Sequence, residues 1–126
     1  MDPRRDEYWR RVREILSLWR DESVLDVCCG YGQFSQIFKS DRYLGIDFAE
    51  GMVRMANEFN PGRMFSVVNA REYQPQVFVD VIFEVNSLRS LGWHPEQFYG
   101  HFRPYAKKVV ACLEADDFRI YQMYDK

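Results

Sequence analysis

Cysteine is scarce in this chain, and its placement argues against a disulfide scaffold. Of three residues, Cys28 and Cys29 are adjacent and Cys112 stands apart. Histidine is scarcer still: His94 and His101 are the two, and neither has a cysteine or carboxylate at ligand spacing. No metal site is expected. No apolar run approaches the roughly 18 residues of a membrane span, and no basic-then-apolar leader opens the sequence. A cytoplasmic protein without membrane association is the expectation. There is no surplus of positive charge either. Seventeen basic side chains against 19 acidic ones leave a net −2, which argues against a nucleic-acid-coating role and leaves nucleic acid possible but not indicated. Arginines crowd the first twenty positions, but Asp2, Asp6, Glu7 and Glu14 are interleaved with them. The expected result is a solvated, ion-paired helix face.

Aromatic residues are plentiful, with ten Phe and eight Tyr in 126 residues. That suffices for one core in one domain of common size. The most telling stretch is Val24-Leu25-Asp26-Val27-Cys28-Cys29-Gly30-Tyr31-Gly32-Gln33-Phe34. An apolar strand enters a glycine-bearing turn, and the spacing predicts an amphipathic helix directly after it. Gly30 and Gly32 let the backbone turn tightly and approach a ligand, and free N–H groups at a helix start favour electronegative atoms. Fifteen residues after Gly32 a second strand, Tyr43-Leu44-Gly45-Ile46, ends in Asp47. A carboxylate there can accept both hydroxyls of a ribose. These features predict a nucleoside-containing ligand at the carboxyl edge of a parallel sheet.

Two details separate the candidate ligands. A dinucleotide fingerprint requires glycine at position 35, where this chain has Ser35, and it has no use for Asp26 inside the first strand. A nicotinamide-binding module is therefore the least favoured reading. A carboxylate at the end of the strand can hold an ammonium group, which suits the amino-acid end of S-adenosylmethionine. Leu25-Asp26-Val27-Cys28-Cys29-Gly30-Tyr31-Gly32 resembles the first motif of the class I S-adenosylmethionine-dependent methyltransferases. Gly45-Ile46-Asp47-Phe48-Ala49-Glu50-Gly51-Met52 is similar to their second. The resemblance extends in order over residues 23 to 115. Cys28 stands where that family usually has glycine, a mild replacement provided the backbone there avoids positive φ.

Strand and helix alternate along the chain. Asp2-Pro3 is a helix opening, and Tyr8, Val12, Ile15, Leu16 and Trp19 form one apolar stripe ending near Asp21. Strands are expected at 23–28, 43–46, 64–68, 78–83 (continuing toward 85) and 107–113. Helices are expected at 32–39, 49–59 (with Met52, Val53 and Ala56 inward) and 95–105, with Asn60-Pro61-Gly62 stopping the second of these. The reading is an α/β domain with a doubly wound, Rossmann-like, mostly parallel sheet of about five strands and helices on both faces. Its parts are an N-terminal helix (1–22), a core (23–115) and a short C-terminal segment (116–126). In that segment Phe118 and Ile120 alternate with Arg119 and Tyr121, which allows one short strand, with a helix almost as acceptable. The resembled family continues beyond its fifth strand, so a C-terminally truncated form is expected. An exposed sheet edge there would favour a homodimer or a partner protein.

The resemblance also implies the remaining contacts. Asn69, Ala70 and Arg71 fall where adenine is met, Asn69 through its carbonyl oxygen and either Ala70 or Arg71 through its backbone N–H. Phe48 and Met52 are candidate apolar walls, although Met52 suits the core equally well. Cys28, Cys29, Gly30, Tyr31, Gly32, Glu84 and Val85 complete the expected cofactor set. Glu84, Asn86 and His94, with Tyr8 as a further base candidate, are the expected catalytic groups. Val85-Asn86-Ser87-Leu88 lacks the prolines of the amide- and base-amino-methylating motif. Methyl transfer from a sulfonium is an in-line displacement that asks mainly for positioning and desolvation. The expected activity is methyl transfer to an acceptor the sequence does not name. The alternative is a non-catalytic or partner-dependent cofactor-binding subunit.

Overall fold

A sheet of six strands in the order β3-β2-β1-β4-β5-β6 organises the computed structural model. It describes residues 3–116 and 119–125, with 116 and 119–123 described by their backbone alone. The strands are β1 (Val24–Val27), β2 (Tyr43–Asp47), β3 (Met64–Val67), β4 (Val79–Val85), β5 (Ala106–Asp116) and β6 (Arg119–Asp125). The first five run parallel and β6 returns antiparallel to β5. The helices are α1 (Pro3–Ser17), α2 (Glu50–Phe59), α3 (Leu88–Leu91) and α4 (Pro95–Phe102).

Each residue of β1 is buried, which is what a central parallel strand covered on both faces requires. Side chains alternate across it. Val24 joins Val81, Phe83 and Leu113 under the α1 stripe of Tyr8, Val12 and Leu16. Leu25 and Val27 join Ile82, Val110 and Cys112 under Phe98 and Phe102 of α4. The two-faced core of the sequence reading is therefore present. Asp2 and Phe118, named in that reading, lie outside the described residues.

Three expectations change. The helix expected at 32–39 is replaced by turns and a single 3₁₀ turn, Ser35–Ile37. The carbonyls a helix would use internally are taken from the side. Arg63 Nε and Nη2 donate to the Ser35 and Phe38 oxygens (3.2 and 2.8 Å), and Asn60 Nδ2 donates to the Tyr31 oxygen (2.9 Å). Phe34 and Phe38 are buried as expected, but from an irregular loop. Met52 does not point inward: it is 40 % exposed, while Val53 and Ala56 carry the buried face of α2. Finally, β5 is not a bare edge, because β6 pairs with it from Asp116 to Val109, and β6 becomes the edge strand of the sheet on that side.

Candidate active site

The chain leaves β1 toward β2 and β3, then crosses back to β4 on the other side. Connections diverge at this point, and a crevice opens outside the carboxyl ends of the strands. It has two arms. The larger, about 530 Å³, lies between Asp47, Phe48, Asn69 and Ala70 on one side and Asn86, Ser87, Ser90 and Leu91 on the other. The smaller, about 150 Å³, lies among Asp26, Gly30, Tyr31, Gln33, Phe34 and Met52. Cys28 and Val85 line both arms, so they form one cleft.

Asp47 sits at the end of β2 and lines the large arm. Its Oδ2 accepts from the Gly30 N–H (2.8 Å) and its Oδ1 from the Ala49 N–H (2.9 Å). Two bonds occupy about half of a carboxylate's acceptor capacity and fix its orientation. The free lone pairs remain available to a diol. Phe48 follows directly and is 74 % exposed, an apolar surface with nothing packed over most of it.

Asp26 is nearly enclosed, at 2 % exposure, and Tyr43 donates its hydroxyl to Oδ2 at 2.6 Å. Burial pushes this carboxyl up to about 7; the Tyr43 bond opposes the rise and Asp47 adds to it. A cation entering the small arm would draw it back toward the ionised form. Tyr43 escaped the sequence reading because its strand position marks it only as core.

Gly32 has a packing role in the loop. A Cβ on Gly32 (φ +78°) would stand 2.7 Å from Phe65 Cζ and 2.8 Å from Asn60 Nδ2. Gly32 therefore serves the packing of the loop against β3 and is not among the residues lining the cleft. Cys28 has φ +59°. The condition under which cysteine would be an untroubled replacement for glycine is not met. This residue holds a left-handed conformation that costs a non-glycine about 1–2 kcal/mol. Its thiol is pushed up to about 12, chiefly by burial, which favours the protonated form.

At the nucleoside end, Asn69 Oδ1 accepts from the Arg71 N–H (3.1 Å). Of the two alternative amides expected to face adenine, that of Arg71 is therefore already engaged. Ala70 is buried in the wall. Asn86 lines the large arm with φ +55°, a conformation asparagine tolerates better than most residues.

The expected bases are not in the cleft. Glu84 is fully buried and its Oε1 accepts from the Ser87 N–H and Oγ (2.8 and 3.0 Å), so it braces the loop from beneath. His94 is exposed at the start of α4, where its N–H donates to Gln97 Oε1 (2.7 Å). Tyr8 is 1 % exposed and donates to the Leu113 carbonyl (2.8 Å); burial, with Glu114 and Glu84 nearby, raises its hydroxyl out of useful range. Ser90 and Leu91 went unread because α3 is a single turn without periodicity, and Ser87 was legible only as part of the motif after β4. Gln33 and Phe34 were legible only as part of the motif loop. Among the described residues no group of three or more His, Cys, Asp or Glu could hold a metal ion.

Comparison with known proteins agrees with this geometry. A family model described as a methyltransferase domain matches residues 25–108. The chain is 29 % identical over 127 residues to a trans-aconitate 2-methyltransferase of Rhodopseudomonas palustris, covering 95 % of this chain and 46 % of that protein. It is 32 % identical over 87 residues to the trans-aconitate 2-methyltransferase of Escherichia coli, covering 66 % and 34 %. The chain thus spans less than half the length of these curated relatives. Among solved structures it resembles an amino pentose methyltransferase from Micromonospora echinaspora with S-adenosylmethionine bound (TM-score 0.66, 21 % identity, 90 % of this chain and 51 % of that one). It also resembles a magnesium protoporphyrin IX methyltransferase from Synechocystis with S-adenosylmethionine bound (TM-score 0.67, 18 % identity, 91 % and 62 %). At such identities the likeness is one of fold.

Proposed function

Because the chain belongs to the methyltransferase domain family, we propose that it binds S-adenosylmethionine in the two-armed cleft and transfers the methyl group to a small carboxylic acid. The observation that carries this reading is the pairing of arms across Cys28 and Val85. The large arm offers Asp47 for the ribose hydroxyls, Phe48 for the adenine face and Asn69 for its amine. The small arm offers the nearly buried Asp26 for the ammonium. The sulfonium then lies at the junction, with its methyl toward Asn86.

The acceptor class rests on two supports. The curated relatives are named for methylating trans-aconitate. In addition, Glu84, His94 and Tyr8 all lie away from the cleft lining. A hydroxyl or amine acceptor would need a base, whereas a carboxylic acid is ionised at neutral pH and attacks without one. The protein's own work is to orient the two reactants in line and exclude water.

A second reading has its own observation. The strained Cys28 and the exposed Tyr31, Met52, Met55 and Phe59 beside the small arm suit a site that another chain completes. Three free thiols, two of them buried, fit a reducing compartment, and we place the protein in the cytoplasm on that basis. Incubation with methyl-labelled S-adenosylmethionine and a panel of di- and tricarboxylic acids tests both readings. Label in a base-labile ester is expected. Binding without label transfer to any acid would support the subunit reading.

A further inference from the structure

Two carboxyl groups for which methyl transfer has no use lie beneath the 86–91 wall of the cleft. Glu84 is fully enclosed and Glu114 is 9 % exposed. They stand on neighbouring parallel strands. Glu84 pairs with Cys112, so Glu114 lies two residues further along β5 on the same face. Glu84 Oε1 accepts both the N–H and the hydroxyl of Ser87 (2.8 and 3.0 Å), and Glu114 Oε2 accepts the Leu88 N–H (3.4 Å). Between them they satisfy the first donors of α3.

Glu84 Oε2 has no hydrogen-bond partner among the described residues. The group beside it is the Glu114 carboxyl, itself an acceptor. Two carboxyls facing each other in apolar surroundings cannot both be ionised cheaply; one retains its proton and donates it to the other. The other titratable groups facing the pair do not neutralise it. They are Tyr8 from α1, Cys28 from the end of β1, Cys112 from β5 and, further out, Glu96 from α4.

We propose that Glu84 and Glu114 share one proton, and that this proton holds the 86–91 segment in place as the wall against which the adenosyl group seats. Glu84 is then a positioning residue. It does not line the cleft, but acts through Ser87, Ser90 and Leu91, which do. Burial and the Glu114 carboxyl both hold the Glu84 proton on well above the ordinary carboxylate range, the direction that sharing requires. The wall's role rests on the cofactor reading above, whereas the shared proton does not.

Removing the proton leaves two buried carboxylates side by side, a repulsion relieved when Ser87–Leu91 moves outward. Glu84→Gln keeps an acceptor for Ser87 and gives Glu114 a permanent N–H, so it copies the protonated pair at every pH. Amide hydrogen exchange of the ligand-free chain, corrected for the intrinsic chemical rate, is followed from about pH 6 to about pH 10. In the wild type, protection at Ser87 and Leu88 is expected to fall by up to about tenfold per pH unit once the proton is lost. In Glu84→Gln it is expected to stay level. Binding of 5′-methylthioadenosine, which lacks the amino-acid ammonium, should weaken over the same range in the wild type alone. Should Glu84→Gln fail to fold, Glu114→Gln provides the same one-donor, one-acceptor pair. Parallel exchange profiles in wild type and variant would overturn the shared proton. An exchange difference with no nucleoside binding by either protein would overturn the cofactor reading, and with it the wall's role.

Discussion

Cys28 carries the clearest single-residue consequence. Its φ of +59° is free of strain for glycine and costly for cysteine. Cys28→Gly relieves that strain, and part of the gain is offset by the larger unfolded-state entropy of glycine. The expected net effect is a stabilisation of about 0.5–1.5 kcal/mol, read as a raised urea midpoint at unchanged slope. An unchanged or lowered midpoint would mean that the thiol's packing outweighs the strain. Asp26 makes the opposite trade. Its carboxyl is pushed up to about 7, above its unfolded value of 3.8. The native state therefore binds the extra proton, and stability falls as pH rises from the unfolded value through about 7. Asp26→Asn keeps an acceptor for Tyr43 and removes that loss. It should stabilise the ligand-free chain by about 1–3 kcal/mol above neutral pH, with little gain at about pH 4, in denaturant titrations at the two values. The ionised form is the one that holds an ammonium. S-adenosylhomocysteine should therefore bind more weakly as pH falls below about 7 in the wild type, while 5′-methylthioadenosine should not.

At the scale of elements, the loop between β1 and β2 departs furthest from a regular structure, and its anchors lie outside it. Arg63 holds two of its carbonyls and Asn60 a third. Arg63→Ala should cost about 1–3 kcal/mol, because two buried acceptors lose a charged donor together. It should also weaken binding in the small arm by slackening Gly30 and Tyr31. An equilibrium unfolding curve checks the first effect and a ligand titration the second. This loop also shows where the sequence stops being legible. Phe34, Ile37 and Phe38 have helical spacing, but tertiary bonds from Arg63 and Asn60 displaced the helix, and no local pattern announces them. The β1 and β2 runs were legible because continuous apolar character, glycine and a terminal acid are local signals. The glycine at position 32 was legible as a residue the turn needs, but its packing role was not. Only the structure puts Phe65 against it. Asp47 and Asn69 were read from type and order, whereas Tyr43 was not, since its partner Asp26 lies on another strand.

For the whole molecule, the doubly wound core and the position of the cleft follow from one topological fact. β1 lies between β2 and β4, so connections diverge at its carboxyl end. Every expected cofactor contact except Gly32 and Glu84 lines a cleft arm. Glu84 has moved from a supposed base to a brace beneath the wall. The central claim is that this cleft holds the donor, with Asp47 bound to the ribose. Calorimetric titration of the folded chain with S-adenosylhomocysteine, repeated on Asp47→Ala, tests it most directly. A dissociation constant on the order of micromolar is expected for the wild type, with a loss of at least about tenfold in the variant. Equal affinity in the two proteins, or no binding by a wild-type chain shown to be folded, would contradict it.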